Sequence, residues 1–189
     1  MRMLEQPLAG AAGRTRSAIL AAAAAVLGTN SLATIADIAR AADVGRTTVH
    51  RYFPDREALL YAATSDSIRV LSQSLAQAAP SEGPAREAMH RVIAGMVAVR
   101  DRILFLFGDP AIVRDISPDD MPSEGPLMEL IERGQREHVF DDELSPTWIE
   151  HTLFALVYRG CQDAAAGALP IHAVAPTVIR TFESGVRKP

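Results

Sequence analysis

Between Thr34 and Leu60 the chain reads TIADIARAADVGRTTVHRYFPDREALL, and no other stretch limits the fold as strongly. Thr34 ahead of Ile35-Ala36-Asp37 is a Thr-x-x-Asp capping box, in which the threonine oxygen and the aspartate carboxylate satisfy first-turn N–H groups reciprocally. It opens a short helix to about Ala42. Asp43-Val44-Gly45 makes a turn, and Arg46 to Tyr52 forms a second short helix. Phe53-Pro54 ends that helix, because the residue before a proline is pushed out of the helical region. Two helices of about eight and seven residues joined by a three-residue turn have the length signature of a helix-turn-helix. Ile35, Ile38 and Ala39 face Val49 and Tyr52, with Val44 plugging the turn. Ala39 must be small, since two short helices crossing steeply leave no room for a larger side chain.

The outward face of the second helix is then Arg46, Thr47, Thr48, His50 and Arg51. Each can donate a hydrogen bond and none is acidic. A helix entering the major groove needs such a face, with short hydroxyls near the backbone and arginines for guanine edges or phosphates. Thr34 and Arg56, at the starts of flanking helices, add donors where the helix dipole already favours phosphate. Charge distribution agrees. Residues 1–60 carry seven arginines against five acids, a net of +2, while residues 61–189 carry twelve basic residues against eighteen acids, a net of −6. A small basic head on an acidic body fits a double-stranded DNA partner; an architectural protein would be basic throughout.

The rest of the chain is helical in pattern, with no sustained strand-like alternation and no long repeat. Residues 1–13 read as a disordered arm. Arg14 to Leu27 is a helix stopped by Gly28, and Asp55 caps a longer one to about Gln77. After the break at residues 80–84, a helix runs from Ala85 to about Arg100. Ile103 to Phe107 is apolar on all sides and is expected as a short, fully buried helical turn. Residues 115–126 read as loop, Leu127 to Glu137 as a helix, and Ser145-Pro146 as the opening of a helix to about Ala166. A last helix spans about His172 to Ser184. The expectation is an all-α chain of nine helices: a three-helix DNA-binding domain over 14–60 and a helical body over 61–189.

The head resembles the TetR family of transcriptional regulators. That family's capping threonine, Ile-Ala, small residue, turn valine, recognition-helix threonine and aromatic-Phe-x-x-basic-Glu-x-Leu tail stand here as Thr34, Ile35-Ala36, Ala39, Val44, Thr48, Tyr52-Phe53, Arg56-Glu57 and Leu59. The resemblance covers about residues 14–62. Asp43 stands where glycine is usual, Thr47 where a smaller residue is common, and His50 in place of the family's phosphate-contacting tyrosine. The resemblance implies a cytoplasmic homodimer that binds a near-palindromic operator, blocks transcription and is released by a small effector held in the body. A regulator controlled by a protein partner instead is the alternative.

For the body, the reading is a dimer built on the last two long helices, through Trp148, Leu153, Leu156, Val157 and Gly160 and through Val174, Val178, Ile179 and Phe182. A pocket for a largely apolar, neutral or weakly cationic effector is expected from Met89, Ile93, Met96, Phe105, Phe107, Met128, Ile131 and Trp148, with His90 or Tyr158 as polar anchor. No catalytic cluster, phosphate loop or nucleophile elbow emerges, so no enzyme activity and no cofactor is expected. His90, His138, His151 and His172 lack metal-ligand spacing with carboxylates. The single cysteine, Cys161, fits a reducing compartment and a small buried residue. The longest apolar run, Ala18 to Leu27, is about half of what a bilayer span needs, so no membrane segment is expected.

Overall fold

The computed structural model describes residues 10–109, 111, 112, 114 and 125–186 of the 189-residue chain. Among them lie nine α-helices and no strand: α1 Ala11–Thr29, α2 Ile35–Ala41, α3 Arg46–Tyr52, α4 Arg56–Gln77, α5 Ala85–Ala98, α6 Arg100–Gly108, α7 Gly125–Arg136, α8 Pro146–Ala165 and α9 Ile171–Val186. Most of the expected N-terminal arm and of the loop over 115–126 lies outside the described residues. Ala11–Gly13, expected in that arm, already belong to α1.

The head forms as its local signals dictate. Thr34 and Asp37 make both halves of the capping box. The Asp37 N–H donates to Thr34 Oγ1 at 3.3 Å, and the Thr34 N–H donates to Asp37 Oδ2 at 2.9 Å. Asp43 takes φ +52°, the left-handed geometry that aspartate tolerates better than most residues. Ile38, Ala39 and Val49 are buried where α2 crosses α3, and Asp55 caps α4 by accepting from the Ala58 N–H at 2.8 Å.

Gly28 has a different role from the expected stop. It lies inside the last turn of α1, where a Cβ would sit 3.0 Å from the Phe105 backbone nitrogen and 3.1 Å from Leu104 Cβ. The glycine thus lets α6 approach α1. The expected helix Ala85–Arg100 instead ends at Ala98, and Val99 starts a new turn: its carbonyl accepts from the N–H groups of Arg102 and Ile103. The resulting α6 is a nine-residue helix rather than a buried turn. Ile103 to Leu106 are buried, but Phe107 is 40% exposed, its ring 5.0 Å from that of Phe154.

In α8 and α9 the expected dimer residues divide. Leu153, Val157, Val174, Val178 and Phe182 are buried within the chain. Gly160 is the close-approach point of the two helices, where a Cβ would lie 2.9 Å from Val174 Cγ1. These six hold the monomer together. What α8 and α9 leave outside is Trp148 and Ile171, exposed, with half-buried Leu156 and Ile179.

The capping box has a pH signature. The Thr34 hydroxyl, then the Thr34 backbone N–H, hold the Asp37 carboxyl below its ordinary value. A depressed folded value means that the stabilisation is complete above the ordinary carboxylate range and is lost as pH falls through the depressed value. Thr34→Ala is expected to destabilise the head by about 1 kcal/mol at neutral pH. Asp37→Asn should flatten the acid limb of the unfolding midpoint followed by circular dichroism. An unchanged acid limb would show that the box carries no pH-dependent stability.

Candidate nucleic-acid interface

The second helix of the head, α3, is a two-faced element. Val49 is fully buried and Tyr52 half-buried, and α3 packs against α2, which fixes the rotation of the helix. Arg46, Thr47, His50 and Arg51 are consequently exposed together, with Thr48 half-buried at their edge. No side-chain hydrogen bond or ion pair ties Arg46, Thr47 or Thr48 among the described residues. The Arg51 guanidinium lies 5.3 Å from the Tyr52 ring centroid, a weak contact that keeps all its N–H donors available. His50 Nδ1 lies 3.4 Å from the Pro54 carbonyl, which leaves Nε2 for a partner. Four adjacent side chains thus offer donors, with His50 Nε2 beside them and no acid among the five.

The two flanking candidates are arranged differently. The Thr34 hydroxyl donates to Asp37 Oδ2 at 2.7 Å, so its hydrogen is committed within the capping box. Arg56 donates through Nη1 to the Ala33 carbonyl at 2.6 Å and through Nη2 to the Ser31 carbonyl at 3.1 Å. Both residues shape the loop between α1 and α2 and therefore the entry of α2. Arg16 of α1 is half-buried with its guanidinium 5.4 Å from the Phe53 ring centroid.

The ten residues expected to line an effector pocket differ in burial. Met89, Ile93, Met96, Phe105 and Ile131 are packed inside the body, each no more than 1% exposed. Met128 and Tyr158 are half-buried, the latter accepting a hydrogen bond from Gln162 Nε2 at 3.0 Å. His90 Nε2 is 2.8 Å from Glu183 Oε1, so its polar edge is engaged with α9. Trp148 is 60% exposed, because it lies on the side of α8 away from the buried Leu153 and Val157. A cavity of about 690 Å³ opens between head and body, lined by Arg16, Tyr52, Tyr61, Asp109 and Ile112 among others; none of the ten borders this one.

Cys161 is fully buried, and burial pushes its thiol up to about 11. It is a packed small side chain, neutral at physiological pH. Among the described residues no group of histidines, cysteines and carboxylates is placed to hold a metal ion, and no helix is long and apolar enough to cross a membrane.

Comparison with known proteins agrees with this geometry. Residues 19–63 match the family model described as bacterial regulatory proteins, tetR family. The HTH-type transcriptional repressor LfrR of Mycolicibacterium smegmatis is 34% identical over 182 residues, spanning 94% of this chain and 93% of LfrR. The crystal structure of the TetR-like regulator LfrR from Mycobacterium smegmatis in complex with proflavine aligns at a TM-score of 0.76 and 31% identity, covering 95% of this chain and all of that one. A TetR regulator from Streptomyces coelicolor, 24% identical at a TM-score of 0.56, covers 91% of this chain and 98% of its own and shares the fold. A helix-turn-helix with a polar, acid-free face, and a relative of that identity along nearly the whole length, lead to one conclusion: the chain belongs to the TetR family of bacterial transcriptional regulators.

Proposed function

We propose that the protein is a dimeric repressor that binds a near-palindromic operator through α3 and leaves it when a small, largely apolar aromatic molecule enters the body. The observation that carries this reading is the α3 surface: Arg46, Thr47, Thr48, His50 and Arg51, exposed or at the edge of exposure and free of acids. Such a face has no structural task in the monomer. In the major groove, the arginines suit guanine edges and the hydroxyls suit phosphate. Dimerisation is supported by exposed Trp148 and Ile171 with half-buried Leu156 and Ile179 on the two packed helices α8 and α9. A two-fold axis through that face would cover these apolar groups and set the two α3 helices about one DNA turn, ~34–36 Å, apart.

For the effector, the proposed location is the body around Met89, Ile93, Met96, Phe105 and Ile131. Methionine deforms at low cost, so a packed methionine-rich interior can open for a flat ligand. Half-exposed Phe107 against Phe154, with Tyr158 and Gln162 alongside, gives an aromatic approach to it. The LfrR complex with proflavine supports a planar aromatic ligand. Release is then a population shift towards dimers whose heads are set too wide for the operator.

The test uses the DNA flanking the protein's own gene as labelled fragments, with light scattering to give the mass. A dimer should retain one fragment against excess competitor DNA, and proflavine should release it. A monomeric mass at micromolar concentration, or equal retention of every fragment, would overturn the proposal.

A further inference from the structure

Where α6 of the body meets α1 of the head, an ionic cluster is enclosed. Arg102 of α6 donates through Nη1 to the Leu20 carbonyl of α1 at 3.0 Å and to Ser67 Oγ of α4 at 3.2 Å. Its Nη2 pairs with Asp66 Oδ2 of α4 at 2.9 Å, and both side chains are only 11% exposed. The second carboxylate oxygen, Oδ1, accepts from Arg69 Nη2 at 2.6 Å, and Arg69 Nη1 reaches Gln73 Oε1 at 2.9 Å. Ser67 Oγ donates its own hydrogen to the Ala63 carbonyl at 2.6 Å, so it is oriented to accept from Arg102. Burial draws the guanidinium below its ordinary value, and the Asp66 charge acts against that.

A buried ion pair adds little net stability compared with well-packed apolar side chains of similar volume. What a guanidinium adds is geometry, because its donors are fixed in one plane. Here that plane reaches a head helix and the α4 helix that follows the head, from a body helix. The Leu20 carbonyl is the telling partner. Its oxygen belongs to the backbone of α1, so α6 cannot shift or rotate without breaking the bond or taking α1 with it. The close approach at Gly28 leaves no slack in the same joint.

We infer that Arg102 is a positioning residue that fixes the orientation of the DNA-binding head on the body, with Leu20, Asp66 and Ser67 as its three anchors. The inference rests on the reading of the chain as an effector-released DNA-binding regulator, for which the clasp would pass a displacement of α6 to the head.

The experiment measures head-to-body distance directly. Spin labels are placed at Leu32→Cys, in the 87%-exposed loop position of the head, and at exposed Ala168→Cys after α8. Buried Cys161 stays unlabelled. Arg102→Lys keeps the charge without the planar fork. Asp66→Leu/Arg102→Met removes both charges together, so no lone buried charge remains to unfold the chain. The unaltered clasp should give a narrow distance distribution, and both variants should broaden it at least twofold with the melting midpoint of the double variant retained. In a parallel arm, proflavine release of bound DNA should shrink to within twofold of no effect in the variants. A narrow distribution in either folded variant overturns the inference and makes Arg102 ordinary packing. Failure of proflavine to release the unaltered protein counts against the proposed function alone, and the distance measurement then decides the clasp.

Discussion

Arg46→Ala and Arg51→Ala are each expected to weaken binding to the preferred DNA by about 1–3 kcal/mol, roughly 5- to 150-fold, while leaving the fold intact. The fold is spared because both guanidinium groups are exposed and neither makes an ion pair among the described residues, so truncation falls in the range of about ±0.5 kcal/mol typical of surface changes. The two positions lie five apart on one helix, far enough for their effects to add approximately. The double variant should then lose about 2–6 kcal/mol, enough to bring specific binding close to the non-specific level. Salt separates the two roles an arginine can have. Loss of a phosphate contact lowers affinity for all sequences alike and reduces the slope of log K against log salt by about 0.9, whereas loss of a guanine contact relaxes sequence preference and leaves most of the slope. Thr48→Ala should weaken binding to all sequences alike and leave the slope unchanged, because a neutral hydroxyl displaces no counterion. Gel shifts at two salt concentrations, with circular dichroism as the control for folding, make the distinction. Unchanged affinity in all three variants would refute the assignment of α3 as the recognition helix.

The head was legible because its determinants are local. The capping box joins Thr34 to Asp37, Asp43 carries the left-handed turn, and Phe53-Pro54 closes α3, each within four residues. Arg56 shows where that locality ends. Its position at the start of α4 favours phosphate, yet its donors reach back to the carbonyls of Ser31 and Ala33, a pairing no spacing rule contains. Thr34 is a cap through its oxygen, which accepts from the Asp37 N–H, while a separate bond holds its hydroxyl hydrogen on Asp37 Oδ2.

In the body, helix limits marked by proline or capping serine were readable, as at Ser145-Pro146. The break at Val99 was not, since a β-branched residue in an apolar run carries no stop signal. Nor could hydrophobicity alone say which apolar residues point inward. Leu153, Val157 and Cys161 recur every four residues and form the buried stripe of α8, whereas Trp148 is five residues before Leu153, about 140° around the helix. The Asp66–Arg102 clasp was invisible for the same reason as the Arg56 bonds: its members meet only through the packing of α4 against α6.

Gly134→Ala should lower stability by about 2–3 kcal/mol, although alanine is intrinsically the better helix former by about 1 kcal/mol. The reason is Phe140, whose ring occupies the space a Cβ at position 134 would need. The ring has no retreat. It is 2% exposed and stands edge-on to Phe182 with centroids 5.8 Å apart. Its backbone is held as well: the Phe140 N–H donates to the Gly134 carbonyl at 3.1 Å, and the next N–H, of Asp141, donates to the Val186 carbonyl at 2.7 Å. Gln135 Nε2 adds bonds to the carbonyls of Asp141 and Leu144. Relief therefore requires moving the α7–α8 connection or the C-terminal turn of α9, and either costs more than the propensity gain returns. For a chain of this length the melting midpoint should fall by about 4–12 °C, compared at one protein concentration because dimerisation would make the midpoint concentration-dependent. Phe140→Leu separates a steric cause from any other. Alone it should destabilise by opening a cavity, but combined with Gly134→Ala it removes the clash, so the pair should be more stable than the sum of the single effects by about 1–3 kcal/mol. A higher midpoint for Gly134→Ala alone, or strict additivity in the pair, would mean that helix propensity and not the Phe140 ring decides the residue at position 134.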